Sequence, residues 1–370
     1  MMKNYTRNLT LVIIGIASAG ISLYGQKQEK EEVPQGYQFT VEKSIPATPV
    51  KNQHRTSTCW SFATTSFIES ELLRIGKGEY DLSEIYFVRK AFELKAEKYV
   101  RLHGKINFES GGLAMDVMHI WNEYGMVPNV AYDGLTIGDS LHVHGEIDAV
   151  LKGYVDQVIT NRNHKLTPVW MDGFKGILDA YLGADPVEFE YEGKTYTPQS
   201  FSGSLGLDPS DYVAIGSYTH HPFYEQFIIE IPDNWLWGTI ENVPLNELMA
   251  LLDHALENGY SVCWDADVGE KGYDWKRGIA LLPSMEITQE NRQEAFDNYQ
   301  TTDDHLMHIT GTATDQQGNK FYLVKNSWGT ENHIYKGYHY ISEAYMQSKT
   351  IFLMLHKDAL PASIASKLGL

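Results

Sequence analysis

The 370-residue chain is poor in cysteine, in positive charge and in long apolar runs. Its two cysteines, Cys59 and Cys263, rule out a disulfide-dense scaffold, so a buried core must hold the fold. The two are free to pair with each other in principle, but residues 260–264 around Cys263 are mostly apolar and read as a buried strand. Lys and Arg number 30 against 48 Asp and Glu, a net charge of −18. That balance argues against nucleic acid or an anionic membrane as the main partner. Metal-ligand spacing is missing as well. His142, His144 and His164, like His220 and His221, have no cysteine or carboxylate placed to complete a zinc or iron site. They are expected at the surface or in packing, with no metal and no organic cofactor.

The one extended apolar run, residues 9–20, is short for a membrane span. Lys3 and Arg7 precede it, and Ala17-Ser-Ala19 or Tyr24-Gly25 offers a small-residue cleavage point. Residues 1–25 therefore read as an export signal that is removed, and residues 26–36 as a charged, flexible leader. The expectation is an exported protein, periplasmic in a Gram-negative host and secreted otherwise, without stable membrane insertion after signal removal. No cysteine follows the run to carry a lipid.

What remains is an ordinary globular composition, 43% hydrophobic and 21% charged, long enough for one large domain or two. From Trp60 the large apolar residues fall at 60, 63, 67, 68, 72 and 75, the spacing of one buried helix face. Ile85, Val88, Phe92, Ala96 and Tyr99 predict a second helix, and Ala114, Val117, Met118 and Trp121 a third that stops at Gly125 before Pro128. Residues 129–243 show no clear period and read as an insertion with one short helix after Thr197-Pro198. A helix over 245–258 leads into a strand over 260–268, and Thr288 caps a further helix. Asp315-Gln-Gln-Gly-Asn319 is a turn between strands at 309–313 and 321–324, with two more strands at 337–341 and 351–355.

Cys59 stands where a loop gives way to the first helix. Unpaired N–H groups and the positive end of the helix dipole there favour a thiolate. Taken alone, a lone cysteine is a small buried hydrophobe. Far downstream, however, His308 precedes Asn326, and the order Cys, His, Asn is that of a thiol-protease triad. His308 would hold the thiolate, Asn326 would fix its imidazole, and Gln53 would donate to an oxyanion. His305 and His308 also suggest an i,i+3 metal couple, but on a strand such residues point to opposite faces.

Val50-Lys-Asn-Gln53 with Cys59-Trp60-Ser-Phe62, then His308 and Asn326-Ser-Trp-Gly329, resembles the papain family, whose Cys-His-Asn triad and cysteine-tryptophan signature are established features. The chain departs from that signature at His54 and at Thr56, where a disulfide-forming cysteine is usual. Glu109-Ser-Gly-Gly112, Asp208-Pro-Ser-Asp-Tyr212, Val262-Cys-Trp-Asp-Ala-Asp-Val268 and Leu355-His-Lys-Asp-Ala-Leu-Pro361 resemble the bleomycin hydrolase or aminopeptidase C branch. The resemblance implies an α+β, two-lobe fold over residues 37–370. A helical lobe (about 55–128) carries Cys59, a β-rich lobe (about 260–358) carries the His and Asn, and an arm spans 359–370. It implies peptide substrates, paired by backbone to Gly111 and Gly112, with Trp328 shielding the His–Asn bond. In that branch the C-terminal carboxylate, here Leu370, meets the substrate's amine, and six chains form a cage. Three readings stay open: an aminopeptidase, an endopeptidase with an open cleft, and a peptide-binding protein with a dead site.

Overall fold

Residues 36–163, 165–282 and 286–370 are described by the computed structural model. The expected export signal, residues 1–25, and residues 26–35 of the expected leader lie outside them. Among the described residues the first element is strand β1 (Thr40–Ser44), then a loop that delivers helix α1 (Cys59–Arg74). Helices α2 (Glu84–Arg101) and α3 (Ala114–Tyr124) follow where their apolar spacing places them. Ser83 caps α2, its Oγ accepting from the Tyr86 N–H at 3.1 Å. Phe67, Ile68 and Leu72 of α1 meet Ile85, Val88 and Phe92 of α2 and Val117 and Trp121 of α3 in one core. Each such fully buried large side chain contributes about 1.5–3 kcal/mol.

The expected insertion divides in two. Its first part is helical, with α4 (Gly145–Ile159), α5 (Val169–Leu182), the hairpin β2 (Phe189–Tyr191) and β3 (Lys194–Tyr196), and α6 (Pro198–Leu205) behind its Thr197 cap. Helices α4 and α5 pack on each other and on α2. Each buries one residue per turn, Ile147, Leu151 and Val155 in α4 and Phe174, Leu178 and Leu182 in α5. Its second part is not an insertion: β4 (Tyr212–Gly216), β5 (Gln226–Ile228) and β6 (Thr239–Asn242) are strands of the main sheet.

That sheet is completed by helix α7 (Leu245–Glu257), strands β7 (Val262–Ala266), β8 (Tyr273–Asp274) and β9 (Ile279–Ala280), and helix α8 (Gln289–Asp297). Then come β10 (His305–Thr314), β11 (Lys320–Lys325), β12 (Tyr338–Ser342), α9 (Glu343–Lys349), β13 (Thr350–His356) and α10 (Ala362–Leu368). Eleven strands join in the order β5-β6-β4-β13-β7-β10-β11-β12-β9-β8, with β1 on the far half of β10. The sheet divides two cores. Cys263, Leu306, Phe352 and Met354 face α1, while Trp264, Met307, Ile309 and Leu353 face α7. The α+β, two-lobe expectation holds, and Gln38–Leu370 is one compact unit.

Candidate active site

The loop before α1 is fixed at both ends. Lys51 reaches Glu84 and Asp81 at 2.6 Å each and the buried Glu69 at 3.1 Å. Burial works against its ammonium, yet these three carboxylates hold its pKa well above the usual lysine value. Two residues on, the Gln53 N–H donates to Ser327 O at 2.8 Å, and the Gly329 N–H donates to Lys51 O at 3.1 Å. The Gln53 loop is thereby sewn to the loop carrying Asn326 and Trp328. Gln53 Oε1 accepts from Ser327 Oγ at 2.7 Å, and Nε2 donates to Thr56 O at 3.0 Å. An amide nitrogen carries two hydrogens, so one donor of Gln53 remains for the cleft.

Cys59 is the first residue of α1 and is half-buried, with its thiol free. Cys263 is fully buried in β7, as expected, and also free. Trp60 anchors the helix start by donating its Nε1–H to Ser110 O at 2.9 Å. This brings its indole against Gly112, where an added Cβ would stand 2.9 Å from the ring and 2.8 Å from Asp116 Oδ2. Only glycine fits there. Gln53, Cys59, Gly111, Gly112, His305 and Trp328 line one cleft of about 280 Å³, together with Asp233, Asp303 and Asp304.

The histidine in that cleft is His305, and His308 is corrected. His305 Nε2 bonds Asn326 Oδ1 at 2.8 Å, and its ring stacks on Trp328 with centroids 4.6 Å apart. Asn326 is held in turn by the Ser327 N–H at 2.7 Å and faces His339. With Nε2 committed to Asn326, Nδ1 is the ring nitrogen left for the thiol. His308 is fully buried three residues along β10, its Nδ1 hydrogen-bonded to Ser66 Oγ at 2.9 Å under α1. Ser66 Oγ also accepts from the Lys325 ammonium at 2.7 Å, which links His308 to Lys325 through one hydroxyl. The cause is a β-bulge. From the turn, Thr314 pairs Lys320 and Gly311 pairs Leu323, a register that would set His308 opposite Asn326. The ladder slips by one residue between Ile309 and Gly311, so His308 pairs Lys325 instead. Residues directly opposed share a face, so Asn326 turns away from His308 and towards His305.

Burial pushes the Cys59 thiol up to about 12; the Leu306 N–H acts against this, while Asp303, Asp265 and Asp233 add to it. Burial likewise pushes His305 down to about 4, against the Asn326 bond. Burial thus works against both charged forms here, in opposition to the helix terminus, which favours a thiolate.

Leu370 is also corrected. Helix α10 lies against α7, with Lys367 bonded to Glu247 at 2.6 Å and Tyr224 at 3.2 Å, and Ile364 is buried in the core on the α7 side of the sheet. Leu370 is half exposed and lines no part of the cleft. The aspartates of the cleft were missed because they come from two distant places in the chain, with no spacing to connect them. His220 and His221 do meet a carboxylate, Glu230, at 3.2 and 2.7 Å. They lie at the surface, away from Cys59, and a partner nine residues on gave no ligand pattern.

Residues 184–369, half of the chain and including His305 and Asn326, match the Peptidase C1-like family. The chain belongs to that family. As a member of the Peptidase C1-like family it is similar to aminopeptidase C of Streptococcus thermophilus, 22% identical over 90% of this chain and 85% of that one. It is equally similar, at 22%, to mitochondrial cysteine proteinase 1 of Saccharomyces cerevisiae, over 89% of this chain and 79% of that one. The crystal structure of PepW from Lactobacillus rhamnosis HN001 has the same fold, with a TM-score of 0.69 at 21% identity over 89% of this chain and 84% of that one.

Proposed function

We propose that the chain is a cysteine aminopeptidase. The observation that carries the reading is the His305–Asn326 bond in the same cleft as Cys59 and Gln53. In the mechanism Cys59 Sγ attacks the scissile carbonyl carbon while its proton passes to His305 Nδ1. Gln53 and the Cys59 N–H receive the oxyanion. His305 then gives its proton to the departing amine, leaving a thioester. Water, deprotonated by His305, hydrolyses that ester and restores the thiol. Asn326 holds the imidazole tautomer throughout, and Trp328 covers the bond between them. Similarity along almost the whole chain to aminopeptidase C supports removal of N-terminal residues over internal cutting. The test compares fluorogenic aminoacyl amides with their N-acetylated forms, on the wild type and on Cys59→Ala. Turnover of the free-amine set alone, lost in Cys59→Ala, is expected. Equal turnover of blocked peptides makes the chain an endopeptidase, and no turnover of either makes it a binding protein.

Export belongs to the same proposal, supported by Lys3, Arg7 and the apolar run at 9–20. Fractionation of the host cells tests it, since retention of the uncut chain in the cytoplasm refutes export. Assembly into a hexamer rests on the family resemblance alone, and light scattering on the purified protein decides it.

A further inference from the structure

If the substrate's free amine is what the enzyme reads, something must hold that cation, and Leu370 is not in the cleft. The other side of the cleft offers an alternative. Asp233 sits in a tight loop between β5 and β6. Asn234 ties that loop by donating to Ile229 O and Gly238 O at 2.9 Å each and accepting from the Gly238 N–H at 2.7 Å. Trp235 pins it to α3, its Nε1–H meeting Asp116 Oδ2 at 2.7 Å. The loop is thus built to hold Asp233 in one place. Asn107 clamps one carboxylate oxygen at 2.7 Å. The other, Oδ2, rests directly on Gly111, where any Cβ would overlap it.

Two features make this an anchor and not only a packed acid. First, Gly111 and Gly112 are where an extended peptide would continue past the residue bonded to Cys59, and Asp233 stands over them. Second, the cleft and the layer behind it hold acids with no cation bonded to them among the described residues. Asp265, behind the cleft, is fully buried, and its carboxyl is hydrogen-bonded to that of Asp303, with no N–H or cation on it among the described residues. Asp303, beside it, lines the cleft, and its Oδ2 is also buried with neither. Lys95, a nearby cation, bonds the carbonyls of Glu109 and Gly111. Two buried carboxyls bonded to each other with no cation on them are costly to ionise, and a cationic ligand lowers that cost.

We propose that Asp233, with Asp303 beside it, binds the α-ammonium of the substrate's first residue and closes the cleft beyond it. The proposal rests on the aminopeptidase reading above. Asp233 replaces the chain's own C-terminus as the group that limits cleavage to one residue at a time. The same cation would offset the field of these carboxylates on the Cys59 thiol, so a free amine would also ease proton transfer to His305.

The test uses the full-length wild type, Asp233→Asn and Asp233→Ala, with aminoacyl, N-acetyl-aminoacyl and dipeptidyl amidomethylcoumarins. Near-ultraviolet circular dichroism and iodoacetamide labelling of Cys59 report folding. For Asp233→Asn, kcat/KM on free aminoacyl substrates is expected to fall on the order of a hundredfold, the scale of losing one desolvated charge partner. Most of that fall should be in KM. Asp233→Ala should also gain turnover of acetylated and dipeptidyl substrates as the wall opens. A wild type active on free aminoacyl substrates, with variants that keep its preference, overturns this inference and leaves the aminopeptidase standing. A wild type that prefers N-blocked peptides with Lys or Arg as second residue overturns both, since the acids would then serve a side chain.

Discussion

The structure puts His305 where the sequence reading put His308, and replacing each histidine separates chemistry from stability. His305→Ala removes the acceptor of the thiol proton and the bond to Asn326 at 2.8 Å. General acid–base catalysis by one side chain contributes about 10²–10⁴-fold, so kcat should fall by roughly that factor, or about 3–5 kcal/mol of barrier. His305 opens β10 at the cleft and is itself buried, so His305→Ala also lowers the urea midpoint, and kcat is compared on the folded variant. His308→Gln instead breaks the chain from Lys325 through Ser66, bonds of 2.7 and 2.9 Å beneath α1. Loss of a buried hydrogen-bond partner costs about 1–3 kcal/mol, read as a lower urea midpoint. Folded His308→Gln should keep kcat within about threefold, because His308 touches no group that reacts. The assay is turnover of a free aminoacyl amidomethylcoumarin beside a urea titration of each variant. A folded His308→Gln without turnover, together with an active His305→Ala, would refute the assignment.

Three other outcomes follow from the same geometry. Gln53→Ala should lower kcat by about 10²–10³-fold with a small change in KM, and an unchanged kcat would remove Gln53 from the oxyanion site. Gly112→Ala forces a methyl against the Trp60 indole, 2.9 Å away; overpacking of this kind costs about 1–3 kcal/mol, so a melting temperature equal to wild type would contradict the packing described. The buried His308 is held neutral, its pKa driven well below the usual histidine value by burial and by Lys325. Its folded pKa lies below its unfolded one, so its contribution to stability is complete above about pH 6.5 and is lost as pH falls. The gap in unfolding free energy between wild type and His308→Gln should therefore narrow between pH 7 and 5, and a constant gap would show that His308 does not titrate against folding.

Much of the fold is legible because its helices repeat apolar residues on a broad face, as α1, α2 and α7 do. Helices α4 and α5 escape because each buries one residue per turn, and glycines at 145, 153, 173 and 176 weaken the helical signal. Strands β4 to β6 escape because residues 129–243 were read together, and the helical half hides the period of the rest. At the site, Cys59, Asn326, Gln53 and the glycine pair are carried by short motifs whose geometry is local. The histidine is not local. Its identity depends on the register between β10 and β11, and one bulged residue inverts the answer. The i,i+3 rule already separates His305 from His308 by face, so the sequence narrows the choice to two. What decides it is β1, whose ladder packs against Gly311 closely enough that an added Cβ there would overlap the Lys43 carbonyl. The Ile45 N–H then takes the Thr310 carbonyl at 2.7 Å, at the point where the register of β10 to β11 slips. A strand near the start of the chain thus sits against the bulge that selects the histidine, and no pattern within 304–326 records it.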